Sequence, residues 1–261
     1  MTGFVCKSAC CQMIKIIAIG VVLPWGLGCA AGAVGSGAVG ADMVVEAPGR
    51  NSEPFGDPGL AVNGVRGGGD GAGSADVFSL RFIRNQNDFL VMRWSARLVQ
   101  NGPGADVIVA ENPFVIGTSD FVFMDPAIVS VSRDGSTWVD FPHDYVAYDE
   151  KVYSADPAAW NGFAGVTPVR WNDDINEIDP FDRDAAGGDE FDLEDLPRDG
   201  AEGDAIRVEG FRFLRIRSAA TEINPDSGTT YPHDPSANGP DIDGVVARYL
   251  APDGLDLGAT P

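Results

Sequence analysis

Between residues 60 and 250 the chain is a succession of short runs of apolar and β-forming residues, broken repeatedly by Gly, Pro, Asn and Asp. The runs cover 77–83, 89–94, 106–110, 127–132, 137–141, 162–169, 206–208, 211–217 and 245–250. Strands of this size with turn signals between them predict a sandwich or barrel. Only 191–196 has a helical look, and Pro197 stops it, because proline cannot continue a helix. Residues 29–59 are rich in Gly and Ala, with no period of two or of 3.6, and predict a flexible tether; 251–261 predicts a loose tail. The expectation is one antiparallel, all-β sandwich of jelly-roll type over 60–250, long enough to bury a substantial core.

The N-terminus has a different pattern. Lys7 and Lys15 precede an apolar run over 16–23, and Leu27-Gly28-Cys29 follows. A cationic start, a short apolar segment and small residues before a break form a secretory signal, with the positive end retained inside. The run is too short to span a bilayer stably. Residues 1–28 therefore predict a lipoprotein signal peptide with Cys29 as the lipidated residue, although Leu27 stands one position closer to the cysteine than the preferred context. Ordinary cleavage within 30–33, giving a free secreted protein, is the alternative. Met13-Ile14-Lys15 makes a tidier start, so 1–12 reads as an over-extended N-terminus. A multiply acylated Cys29 would hold the protein at an outer membrane or cell surface.

Composition sharpens this picture. All four cysteines, Cys6, Cys10, Cys11 and Cys29, lie at or before the cleavage point, so the exported domain has none left to pair. Beyond Cys29 there are 16 basic against 39 acidic residues, and Lys151 is the only lysine. Such a surface repels nucleic acid and anionic lipid and attracts cations. A merely solvated acidic surface and a set of calcium-holding carboxylates both satisfy that count.

The segment Val129-Ser130-Val131-Ser132-Arg133-Asp134-Gly135-Ser136-Thr137-Trp138 predicts a hairpin, with Asp134-Gly135 as the tight turn and the Trp138 ring on the core. It resembles the hairpin of discoidin-like and other galactose-binding-like jelly rolls. Further blocks are 73–80, 101–106 with 111–114, 187–193 and 239–245. Together with the hairpin they resemble, in order, an uncharacterised family of bacterial surface lipoproteins. The resemblance implies an extracytoplasmic β-sandwich and brings no activity with it.

Acids fall at the ends of the predicted strands. Asp76 and Asp106 begin strands, Glu111-Asn112 ends one, and Asp192, Asp241 and Asp243 lie at junctions. Calcium takes six to eight oxygens from carboxylates, Asn side chains and carbonyls, which the loop ends of a sandwich can gather. Asp234, Ser236, Asn238 and Gly239 copy the start of an EF-hand loop. Its twelfth position is Val245, however, so the expectation is a different calcium loop completed by Asp241 and Asp243. Each acid serves equally well as an Asx-turn or a strand cap.

His143 and His233 both sit in Pro-His-Asp, a pairing that serves metal sites and general-base dyads. Beyond Cys29 there is no Gly-x-Ser-x-Gly, no His-Glu-x-x-His and no phosphate loop. Trp160 and Trp171 lie near loops beside Asn and Asp, where an exposed ring would stack on a sugar, though packing serves them as well. The leading expectation is a non-enzymatic, calcium-stabilised surface module binding glycan or envelope matrix. Trp160, Trp171 and the acidic segment 172–204 would form its contact face. An extracytoplasmic hydrolase using Asp/Glu pairs or a His-Asp metal site, and a purely structural envelope protein, are the alternatives.

Overall fold

The computed structural model describes residues 37–82 and 88–254. Cys29 and the export signal lie outside the described residues, as does Ile83. Among the described residues no helix is long and apolar enough to cross a membrane.

Among the described residues the protein is all-β, and its two largest antiparallel sheets enclose the main apolar core. Nine strands build them: β1 (Val39–Gly40), β2 (Met43–Glu46), β3 (Leu90–Arg93), β4 (Val107–Ala110), β5 (Ala127–Ser132), β6 (Val139–Asp140), β7 (Asp189–Phe191), β8 (Phe213–Ser218) and β9 (Gly244–Ala247). The four-stranded sheet runs β1-β9-β4-β7 and the five-stranded sheet β6-β5-β8-β3-β2. Val107, Val109, Phe191, Val245 and Ala247 from the first meet Leu90, Met92, Val129, Val131, Leu214 and Ile216 from the second in a common apolar cluster. Side chains alternate across a strand, so Leu214 and Ile216 are buried inside while Phe213, Arg215 and Arg217 face outward, only partly covered.

Several expectations are corrected. Residues 39–46 are not tether: β1 pairs with β9 and β2 with β3, and the Trp94 indole donates to the Val39 carbonyl at 2.8 Å. Edge pairing is made by the backbone, so a Gly/Ala-rich stretch without alternation can still supply it. At the other end Leu250–Pro252 pairs with Arg97–Val99, so the tail begins later than 251.

Residues 206–208 belong to a helix, Ala201–Glu209, rather than a strand. Glu202 and Asp204 in its first turn and Arg207 in its last suit the helix dipole, and Ile206 alone anchors it in the core. The segment 191–196 divides into the end of β7 and a 3₁₀ turn, Leu193–Asp195, capped by Asp192. Residues 162–169 form only isolated bridges, Ala127 with Ala164 and Val169 with Gly187. The β5–β6 hairpin forms with Val131 opposite Val139, but Trp138 is half-buried outside the core, with the Arg215 guanidinium 4.4 Å from its ring centre.

Candidate functional site

The nine residues expected to hold calcium separate into three places. At the first, Asp106 just before β4 accepts the Gly102 and Leu193 backbone N–H groups, each at 2.8 Å, and Asp192 accepts from Glu194 N. At the second, both oxygens of buried Asp243 accept from Arg66 N, while the Arg66 guanidinium lies 2.9 Å from Asp76. These four acids close turns and pair with Arg66, so they do not converge on one centre. The loop read as an incomplete EF-hand does not converge either. Asp234 accepts from Ser236 N in an Asx-turn, and Asp241 and Asp243 go to different neighbours.

The third place is a cluster. Glu111, immediately after β4, is buried; its Oε1 accepts from Asp241 N at 2.7 Å, and its Oε2 has no hydrogen-bond partner among the described residues. Asp241 Oδ1 is also buried without a partner. Asp125, two residues before β5, completes the group. Its charge and that of Asp241 act on Glu111, and Asp234 acts on Asp125.

Burial first, and then these neighbouring charges, push the Glu111 carboxyl well above the usual range. The same causes raise Asp125 to about 7. Asp241 is raised by burial and partly relieved by hydrogen bonds from the Ser79 and Asn112 side chains. Asn112 itself clamps the backbone of Ser74, accepting from its N–H and donating to its carbonyl. Asn238 reaches the rim, with its Nδ2 3.5 Å from Ser79 Oγ.

Gly165 makes the cluster sterically feasible. Its φ of 80° is left-handed, and a Cβ there would stand 2.8 Å from the Asp125 carbonyl and 3.1 Å from Glu111 Oε2. Sequence reasoning missed Asp125. Its signal was available, because Asp125-Pro126 directly precedes a strand run as Asp106 does. Among the described residues no three His, Cys, Asp or Glu side chains are gathered closely enough to hold a metal by themselves. A hard cation here would need neutral oxygens beside Glu111 and Asp241, and Asn112, Ser79 and the Asp125 carbonyl are the ones at hand.

The tryptophan platforms are corrected. Trp160 and Trp171 are both at most 2% exposed. Trp160 packs among Tyr145, Phe163 and Tyr231, and Trp171 lies on the outer face of the four-stranded sheet with Ile108 and Val169. Large rings near loops were drawn into two satellite cores, because each buries more apolar area than a loop can leave exposed. The segment 172–204 does border a broad polar cleft of about 830 Å³, where Arg183, Asp184 and Glu190 face Asn161 and Thr167.

Neither imidazole is hydrogen-bonded to a carboxylate among the described residues. His143 Nδ1 bonds the Phe141 carbonyl at 2.8 Å, and its ring meets Phe163 edge-on. His233 meets Phe82 edge-on. No protein family, no characterised protein and no solved structure matches the chain.

Proposed function

We propose that the chain is an exported, lipid-anchored envelope protein, a non-enzymatic module that binds glycan or matrix and is stabilised by calcium. Export and anchoring through Cys29 rest on the N-terminal sequence pattern. Binding is supported by the polar cleft beside 172–204. The observation that carries calcium is Glu111: a buried carboxylate with an unpartnered oxygen, set against Asp125 and Asp241. Burying such a charge is costly unless it is neutralised by a proton or a cation. Glu111 beside Asp241, with the charge of Asp125 acting on Glu111 and an Asn and a Ser side chain close to Asp241, favours an oxygen-seeking divalent ion whose remaining ligands are neutral oxygens.

Thermal unfolding of the exported domain with chelator and with saturating calcium tests this. Calcium at a hundred times its dissociation constant stabilises by about 2.7 kcal/mol. At about 2–4 °C per kcal/mol for a domain of this size, the midpoint should rise by several degrees. Glu111→Gln should abolish the rise. If Glu111 holds only a proton, Gln imitates it: wild type and variant then melt alike in chelator and calcium moves neither, which would sink the calcium reading.

A further inference from the structure

The outward face of the five-stranded sheet carries a cavity of about 260 Å³ lined by Val91, Phe89, Phe213, Trp138 and Arg215, with Glu46 and Asp134 also at its lining. Strand alternation places these groups together. Leu90 and Met92 of β3 and Leu214 and Ile216 of β8 point into the core, which sends Val91, Arg93, Phe213, Arg215 and Arg217 to the other side. Three arginines on one sheet face stand out in a chain with 18 basic and 39 acidic residues.

Their pairing is unequal. Arg217 has two close ion pairs, with Asp140 at 2.8 Å and Glu222 at 2.9 Å, although its Nε, like those of Arg93 and Arg215, is buried without a partner among the described residues. Asp140 is also held by the Ser130 hydroxyl at 2.6 Å, and Arg215 reaches it only at 3.9 Å. Arg215 also lies 3.4 Å from Ser130 Oγ and stacks on the Trp138 ring at 4.4 Å, while its buried Nε has no partner among the described residues. Arg93 stands 5.7 Å from the Phe213 ring centre, makes no ion pair among the described residues, and also has a buried Nε without a partner. Burial, and then the charge of Arg217, hold the Arg215 pKa below its ordinary value. The cavity thus presents apolar ring faces and a partly desolvated guanidinium short of a counter-ion.

We propose that this cavity binds a carboxylate-bearing sugar, a hexuronate unit of an acidic glycan. The pyranose C–H faces lie on the aromatic walls, the carboxylate pairs with Arg215, and the Glu46 and Asp134 carboxylates at the border accept sugar hydroxyls. A planar guanidinium takes a carboxylate with two parallel hydrogen bonds, which a neutral hexose cannot offer in return. The cavity is of a size for one sugar residue rather than a folded partner. The proposal rests on the binding-module reading but is independent of calcium.

Titration calorimetry with a short oligogalacturonate and with its neutral galactose counterpart tests it on the exported domain. The uronate should bind, the neutral sugar at least tenfold more weakly, and raised salt should weaken the uronate alone. Arg215→Gln and Trp138→Ala should each lower uronate affinity at least tenfold while the melting midpoint stays close to wild type. Arg215→Lys serves the same purpose if Arg215→Gln does not fold, because it keeps the charge and loses the fork. No uronate binding, equal binding of the neutral sugar, or affinity unchanged in the variants overturns the proposal. A neutral glycan bound elsewhere on the domain would overturn it while leaving the binding-module reading in place.

Discussion

In the four-stranded sheet both faces of the central strand are covered: Val107 and Val109 enter the shared core, while Ile108 and Ala110 pack with Val169 and Trp171. In the five-stranded sheet one face is equally apolar, but the other carries Ser130, Ser132, Arg215 and Arg217. The sheets also handle charge differently. The first is tied at its strand ends by Asp106, Asp189 and Asp243, which accept backbone N–H groups from Gly102, Val166 and Arg66. The second uses arginine–carboxylate pairs such as Arg217 with Asp140. A sheet sandwiched on both sides has no room for solvated side chains, so its acids serve the backbone. A sheet whose second face is covered by a satellite core only at Ile128 and is otherwise polar can hold cations and a cavity, and that is where ligand chemistry has space.

The largest expected effect tests the covered faces. Leu214→Ala, on the shared core, and Ile108→Ala, on the outer face of the four-stranded sheet, should each cost about 2–5 kcal/mol in urea unfolding. Arg93→Ala, on the outer face of the other sheet, should cost about 1 kcal/mol or less. An Ile108→Ala loss as small as that of Arg93→Ala would break the comparison.

Next comes Gly188, whose φ is 76° and whose added Cβ would lie 2.9 Å from both Ile108 Cγ2 and the Trp171 ring. Gly188→Ala should destabilise by about 1–3 kcal/mol and shift Trp171 fluorescence toward that of an exposed indole. Unchanged stability and fluorescence would mean that the ring is not clamped against the sheet.

The last test concerns pH. Burial pushes Asp106 and Asp243 up to about 7 and Asp189 up to about 6. Raised carboxyl pKa values mean that the folded state binds protons more tightly than the unfolded chain, whose Asp titrates near 3.8. Their stabilising contribution is therefore complete below about pH 4 and is lost as pH rises through about 6–7. In chelator, the thermal midpoint should fall from pH 5 to pH 8. Hydrogen exchange should show β4, β7 and β9 losing more protection than β8. A flat midpoint, or equal loss in both sheets, would remove the distinction.

Much of this was legible in the runs themselves. The runs containing β3, β4, β5, β8 and β9 are apolar enough to announce strands. β1 and β2 were not legible, because a two- to four-residue edge strand is specified by the neighbour whose N–H and C=O groups it completes. The helix Ala201–Glu209 was hidden for a related reason: Ile206 is its only large buried apolar residue, and Val208, which made the run look β-like, is 81% exposed. The acids at strand ends were visible as acids, but not what each would accept. Asp106 and Asp243 proved to be backbone acceptors, while Glu111 and Asp241 were left with unpartnered oxygens.

The sequence by itself determined the antiparallel β character, the acidic surface and the absence of any cysteine beyond Cys29, because strand propensity and charge are properties of residues and near neighbours. Only the tertiary structure decided which acids meet and which rings are hidden. Glu111 and Asp241 are 130 residues apart and touch because β4 and β9 are adjacent. Trp160 and Trp171 are buried because loops fold over them. Contacts between distant segments depend on how the strands are ordered within the sheets, and no local stretch of sequence carries that order.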